Sequence, residues 1–553
     1  ELWVGGLVVW GAVSAVLVGA SPLASKETLV TWLVAWALWC VSRRGGDRGR
    51  ENGLRILILG AAIIAAAVLV DAISAGSVRV GGFFENPNLA AALLVPALPL
   101  GFVVFDRAAS WRRWSWVILT AVGIVLTGSR AGLVAAVVVI ALLAPAGRLR
   151  MVGVLSGSGL ALAVLVWRFV SQPDVLAWHR VSIWWAVLKV WVTRPLTGVG
   201  PGCLVEAAGA ERILHQDHVG RYQFVVSYAE STPLGLMVQL GLIGLAIALI
   251  ASLMWWRDAR RDGVFSSAPV RASVTSLAVL ALFHDFLTAD PVLWWWAVLV
   301  GCCERGFCAA EKTEVGGSSR LARAAPALVL VWLTAWGIMT PALARLIWWD
   351  AEPTRANVER TLRVERWFAQ PAGERVRDLM AQESSWSWET AGEALFWARR
   401  AQRVHPGLAR RWAELGGVHL RIVADLGGTD HDIVAARQAL TRACDLDPHL
   451  PWHWLERARL ERMDGNRQAA VQLTRHALAQ EPNTVRGWLF LSRLELESGR
   501  MTAARSALDE AQDRMLLADQ PGLNDYELEL IYAPPTQLES LQNDLKVGSR
   551  HGS

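Results

Sequence analysis

The chain has 553 residues, 53% of them hydrophobic, and a mean hydropathy of +0.32, which excludes an ordinary water-soluble enzyme. Its formal net charge is +5, but Arg-rich connections between apolar runs carry much of the excess, so no nucleic-acid partner is implied. Six scattered cysteines give no disulfide framework, and the chain opens inside an apolar run without Met, as expected of a processed or truncated terminus.

About eleven apolar runs follow in chain order, near 2–20, 29–41, 54–73, 89–105, 116–126, 131–144, 151–170, 233–255, 268–286, 292–308 and 324–349. About twenty apolar residues cross a bilayer as a helix, so the shorter runs must tilt or borrow flanking residues. Lipid offers the backbone no hydrogen bonds, and a helix satisfies its own. The Arg-rich connections 42–55, 106–113, 147–150, 256–262 and 304–323 fall at every second turn of the chain, as the positive-inside rule requires. An odd number of spans then places the amino end inside and everything after Trp349 outside.

That sidedness sorts the polar residues. Asn86, Asn88, Arg130, Arg180, Glu230, His284 and Asp285 collect at the outer ends of spans, where ionisable groups are costly and mark a functional site. The first motif, Phe83-Phe-Glu-Asn-Pro-Asn, leads into a helix; Asn88 is expected to cap it, and paired amides beside an acid also suit sugar hydroxyls. Thr127-Gly-Ser-Arg-Ala-Gly breaks the chain between two spans and leaves Arg130 outside, against the charge bias. Interfacial snorkelling is the plain explanation for such an arginine.

From about 170 to 232 runs an outer segment too long for a connector. It holds an amphipathic stretch from Arg180 to Trp191, with Lys189 in it, of the kind that lies in a membrane interface. Pro195-Leu-Thr-Gly-Val-Gly-Pro-Gly follows, by itself only a loop signal. His215, His218 and Arg221 come next, and Tyr228-Ala-Glu-Ser-Thr-Pro opens the following span. His284-Asp285 and Asp290-Pro291 mark the outer end of a later one.

After Trp349 the composition turns charged and Ala/Leu-rich. Trp454 and Trp488, Leu455 and Leu489, Gly465 and Gly499, Ala477 and Ala511, and Pro448 and Pro482 repeat at a spacing of 34 residues. Period and order resemble tetratricopeptide repeats, which pack as helix–turn–helix pairs. An earlier unit starts at Trp412, its turn enlarged by Gly427-Gly-Thr-Asp, and a degenerate one precedes Pro406. The expected layout is all-α: a polytopic membrane domain over 1–349, a linker over 350–384, repeats over 385–535 and a tail over 536–553. His405, His419, His431, His449, His453 and His476 share no ligand spacing and are expected at the surface. The repeats are expected to carry no chemistry of their own and to dock a protein partner, hold a polymer or brace the membrane domain.

Asn86-Pro-Asn88, Thr127-Gly-Ser-Arg-Ala-Gly, Arg180 with Gly198-Val-Gly, and Ser231 followed by Gly241-Leu-Ile-Gly together resemble the O-antigen ligase and O-antigen polymerase superfamily of integral membrane glycosyltransferases. The resemblance covers most of residues 50–310. It implies a GT-C-like helical domain in the bacterial inner membrane with its repeats on the periplasmic side. It implies a donor oligosaccharide on undecaprenyl diphosphate and a glycan, lipid or protein acceptor hydroxyl, with no cofactor and no metal. In the ligase branch a His stands where this chain has Glu230; a carboxylate can activate a hydroxyl as imidazole does. Arg130 and Arg180 are then expected to face the leaving diphosphate, because guanidinium forks match phosphate oxygens and stay charged. Glu230 takes the acceptor proton, with His215 or His218 as the alternative base. Asn86, Asn88, Lys189, His215, His218, Arg221, His284 and Asp285 are the expected substrate-binding residues. A transporter, or a non-catalytic assembly factor for polysaccharide export, is the competing expectation.

Overall fold

The computed structural model describes residues 2–44, 46–76, 79–84, 86–105, 108–144, 147–171, 180–216, 218–261, 263–287, 290–304, 332, 335–382 and 386–551. These residues form helices and turns, with one isolated antiparallel bridge between Ile213 and Phe224. They divide into two compact units. The first comprises Glu1–Val18, Ala24–Gly202 and Tyr228–Met339; the second comprises Gly19–Leu23, Cys203–Ser227 and Thr340–Ser553.

The helices up to residue 304 are α1 (Leu2–Val18), α2 (Pro22–Arg44), α3 (Gly46–Ala75), α4 (Pro87–Val104), α5 (Ser110–Leu126), α6 (Arg130–Leu143), α7 (Arg148–Ser171), α8 (Arg180–Thr193), α9 (Leu204–Ala207), α10 (Thr232–Arg261), α11 (Ala268–Phe283) and α12 (Asp290–Glu304). Of these, α9 lies in the second unit. The hub of the first unit is α4, whose residues from Ala90 to Ala97 are all buried and which packs against α3, α5, α6, α11 and α12. Pro96 has no N–H to give the carbonyl of Ala92 four residues back. The indole Nε1 of Trp296 donates to that oxygen instead, at 3.1 Å, so the hub keeps its proline without an orphaned acceptor.

A second break in regular structure is built from two glycines. Within α10, Gly241 adopts φ 68° and ψ −170°, which interrupts the helical ladder. The segment 195–200 fills the gap: Leu242 N donates to Pro195 O at 2.9 Å, Val199 N to Val238 O at 2.9 Å, and Gly200 N to Gln239 O at 3.0 Å. The indole of Trp10 caps the Leu240 carbonyl at 2.9 Å. Backbone contact is so close that a Cβ on Gly241 would lie 2.1 Å from the Leu196 oxygen, and one on Gly198 would lie 2.4 Å from Gln239. The glycine-rich loop is therefore a structural plug for a broken helix.

The expectation of about eleven membrane spans is not met. Among the described residues three helices are long and apolar enough to cross a bilayer: Arg48–Ala75, Pro87–Val104 and Thr232–Arg261. Five more apolar helices, Gly5–Val18, Arg130–Leu143, Arg150–Ala163, Ala268–Phe283 and Pro291–Cys303, have 10–17 residues. At a rise of about 1.5 Å per residue, a 14-residue helix reaches about 21 Å, short of the roughly 30 Å hydrocarbon core. Several of the apolar runs are real helices but are themselves too short, such as 131–144, which forms Arg130–Leu143. The connection expected at 304–323 and the start of the run at 324–349 lie largely outside the described residues.

The second unit is a helical solenoid. Helices Ala409–Leu426 and Asp430–Leu446, Pro451–Met463 and Arg467–Gln480, and Val485–Glu497 and Met501–Met515 pack as successive hairpins, each pair against the next. The starts of the last two pairs lie 34 residues apart, Pro451 to Val485 and Arg467 to Met501. Gly465 and Gly499 close the equivalent turns at positive φ. In three successive units a tryptophan indole donates to the carbonyl of the proline six residues before it: Trp412 to Pro406 and Trp454 to Pro448 at 2.8 Å, and Trp488 to Pro482 at 2.7 Å. That bond pins each hairpin to the turn entering it.

The 350–384 segment, expected as a linker, contains the helices Arg355–Val364 and Gln370–Ala381, and the expected tail contains most of Pro535–His551. His419 and His453 are buried, not at the surface, and His419 Nδ1 lies 3.0 Å from Asp432 Oδ1. Moreover, residues 203–227 from the long segment belong to this unit rather than to the membrane-type unit.

Candidate functional site

In the first unit, four separate stretches of sequence bring charge together. Thr127-Gly-Ser-Arg-Ala-Gly is a turn whose parts are accounted for locally: Thr127 Oγ1 donates to Ile124 O at 2.7 Å, Gly128 takes φ 57°, and Ser129 caps α6 by accepting from Gly132 N at 3.2 Å. Gly132 lets α6 meet α4, since a Cβ there would lie 2.8 Å from that of Ala91. This geometry makes Arg130 the first residue of α6. Arg180 lies on α8, whose buried positions Ala186, Val187 and Val190 form one stripe. The Arg130 guanidinium thus starts at a helix N-terminus, where backbone N–H groups add positive potential.

The third stretch is the turn before α10. Glu230 sits there at φ 52°, one of two non-glycine residues with positive φ among those described. Its Oε2 lies 3.4 Å from Arg180 Nη2 and 3.6 Å from Nδ1 of His284, the fourth contributor. His284 is 6% exposed, while the side chains of Glu230 and Arg180 are 28% and 22% exposed. The turn is stapled to the His284 loop through one hydroxyl. Thr232 Oγ1 donates to His284 O at 2.7 Å and accepts from Phe286 N at 3.3 Å.

Burial raises the Glu230 carboxyl, but the His284 hydrogen bond and the charges of Arg180 and Arg130 outweigh it, leaving its pKa below the ordinary value. Burial lowers His284, and Arg180 and Arg130 add to that effect against the pull of Glu230. At neutral pH the cluster is therefore carboxylate, neutral imidazole and guanidinium. Burial pushes Asp285 up to about 7, a value suited to a general base. Its geometry is not suited. The carboxylate accepts from Leu287 N at 3.2 Å and from the Ala229 backbone, and Gly235 packs directly on it. Asp285 fastens the Glu230 turn rather than facing a ligand.

The structure thus groups Arg180, Glu230 and His284 by contact and Arg130 by field; the remaining candidates have other contacts. Asn86, not Asn88, caps α4: its Oδ1 accepts from Asn88 N at 3.0 Å, and Pro87 occupies the first helical position. An extended Pro-preceding residue suits the cap, whereas Asn88 is already inside the first turn. Lys189 is exposed and lies nine residues after Arg180, about half a turn out of phase on α8. His215, His218 and Arg221 belong to the second unit. There the His215 ring packs on Phe224 with centroids 4.4 Å apart, and His218 Nδ1 lies 3.1 Å from Gln223 Nε2. Among the described residues, no three His, Cys, Asp or Glu side chains group as metal ligands.

Two participants escaped the sequence reading. Thr232 carries no signal of its bridging role. Arg79 does: like Arg130 it is an arginine in a connection between apolar runs, and the structure holds it at φ 78° with its N–H on Leu126 O at 2.9 Å, beside the turn that leads to Arg130.

No protein-family model matches the chain, and no characterised protein matches it. Among solved structures it is similar to the tetratricopeptide protein TTC0263 of Thermus thermophilus, with 18% identity, a TM-score of 0.27 and coverage of 37% of this chain and 96% of that one. It is also similar to yeast Tom70, with 11% identity, a TM-score of 0.22 and coverage of 85% of this chain and 90% of that one. At such scores neither likeness bears on this chain. The solenoid is established by its own 34-residue helix spacing.

Proposed function

We propose that this chain is a membrane glycosyltransferase of the O-antigen ligase or polymerase type, acting at the outer leaflet of a bacterial inner membrane. The observation that carries the proposal is the convergence of Arg130, Arg180, Glu230 and His284 from distant parts of the first unit. Two guanidinium groups suit a diphosphate, and a carboxylate suits a hydroxyl proton. An apolar exterior accompanies the site. On α3, Ile56, Leu59, Ile63, Val70 and Ile73 are exposed opposite buried Leu57, Ala61, Ala65 and Val68, a helix apolar on all sides as lipid contact favours.

In the proposed step the acceptor O–H gives its proton to Glu230 while its oxygen bonds the anomeric carbon of the donor. The bond from that carbon to the phosphate oxygen breaks, and its electron pair leaves on the undecaprenyl diphosphate. Arg130 and Arg180 offset the charge that builds there. A discontinuous α10 is also what a transporter would carry. Here, however, the groups freed at Gly241 are taken by protein backbone and by Trp10, not left to line a pathway. The test is reconstitution of the full chain with undecaprenyl-diphosphate-linked oligosaccharide and three acceptors: a second lipid-linked unit, lipid A-core, and a protein. Transfer to one of them is the expected result; none with any acceptor removes the proposal.

A further inference from the structure

Glu230 cannot be understood alone. Both of its charged partners make their closest approach at Oε2. His284 is the more buried partner, and its Nε2 is shielded from water with no hydrogen-bond partner. Leaving a buried imidazole nitrogen unpaired is costly. Its backbone is meanwhile fixed by the Thr232 bridge to the same turn that holds Glu230 in a left-handed conformation. Strain and an unsatisfied group at one spot are what a site built for function shows.

Resting on the transferase proposal above, we infer that His284 is a positioning residue for Glu230: its Nδ1, 3.6 Å from Oε2, orients the carboxylate toward the acceptor hydroxyl. The imidazole that the ligase branch keeps in its own chain position is supplied here from another loop, one element away. The charged groups facing the pair are Arg180 on α8, Arg130 on α6, and, on the loop of His284 itself, Asp285. Loss of the Nδ1–H removes one of the influences that keep Glu230 ionised, and the arginines remain.

The experiment compares wild type, His284→Phe and His284→Asn in proteoliposomes, with undecaprenyl-diphosphate-linked oligosaccharide as donor and the acceptor that wild type uses. An asparagine amide can place an N–H about where Nδ1 stands; phenylalanine cannot. Expected are a kcat about 10²-fold lower for H284F, donor KM nearly unchanged, and an acidic limb of the pH–rate profile displaced upward. H284N should recover most of the rate and return the limb toward wild type. An unmoved limb in H284F, or an H284N no better than H284F, overturns the role of His284 while leaving the transferase proposal intact. Wild type that transfers to no acceptor defeats the transferase proposal instead. If H284F does not reach the membrane, the comparison is made between His284→Gln, whose amide lies beyond the Nδ1 position, and H284N.

Discussion

In the proposed transferase Arg180 faces both the base and the leaving group, its Nη2 lying 3.4 Å from Glu230 Oε2. Replacing it with Ala should lower transfer by about 10²–10³-fold, the usual loss when one preorganised charge partner is removed. Lys should restore little, since an ammonium lacks the bidentate fork. Turnover of lipid-linked oligosaccharide, with insertion monitored in parallel, measures both, and near-normal output from R180A would remove Arg180 from the site. A second residue-scale consequence concerns pH. Glu230 works as a carboxylate, so the rate falls as pH drops through its pKa. Because that pKa is held below the ordinary 4.5, wild-type activity should stay level from neutrality down to about that pH. An acidic limb near 7 would instead point to Asp285, whose burial places it there. Arg180, Glu230 and His284 were each picked out in the sequence as polar residues beside apolar runs. Their mutual contact was not legible, because 54 residues separate Glu230 from His284 and tertiary bonds through Thr232 and Asp285 close that distance.

Elements show the same division between what pattern reveals and what packing decides. The solenoid was legible because its period is carried by identical residues doing identical work, Trp454 and Trp488 bonding Pro448 and Pro482 and Gly465 and Gly499 turning the chain. Substituting Trp454 with Phe deletes the N–H and the pyrrole ring that carries it, so it should cost at least about 1 kcal/mol, read as a lowered thermal midpoint; no shift would mean that the Pro448 bond does not pin the hairpin. The membrane-type unit was less legible. Hydropathy marks apolar runs but cannot see where a helix stops, and the break in α10 depends on a loop some 40 residues earlier. Gly198 and Gly241 are the interlock, and Gly241→Ala should be severe: positive φ costs a β-carbon residue about 1–3 kcal/mol, before the clash with the Leu196 oxygen at 2.1 Å is counted. Loss of monodisperse protein in detergent is expected. A fully active, stable G241A would show that the ladder can close without the loop.

Across the whole molecule, chain path matters as much as contact. The polypeptide leaves the first unit after Gly202 and re-enters it at Tyr228, two residues before Glu230, and spends the interval within the solenoid unit. There the interval is firmly held. Arg212 meets Asp447 at 2.7–3.0 Å through Nε and Nη2 and donates to Tyr222 O at 2.8 Å. Glu481 accepts from the backbone N–H groups of Arg221 and Tyr222 and from the Tyr526 hydroxyl, while Tyr222 stacks on His449 with centroids 4.2 Å apart. The side chains of Arg212 and Asp447 are 10% and 7% exposed, so removing one leaves the other charge stranded. Arg212→Ala should therefore cost about 3–5 kcal/mol locally and expose 203–227 to limited proteolysis. The double variant with Asp447→Ala should regain part of that loss, because no unpaired charge remains, and the difference measures the coupling. If R212A is as protease-resistant as wild type, the backbone bonds to Glu481 hold the segment unaided. If cleavage does rise, transfer should fall in the same samples, since the strand that carries Glu230 into its turn begins where this held segment ends.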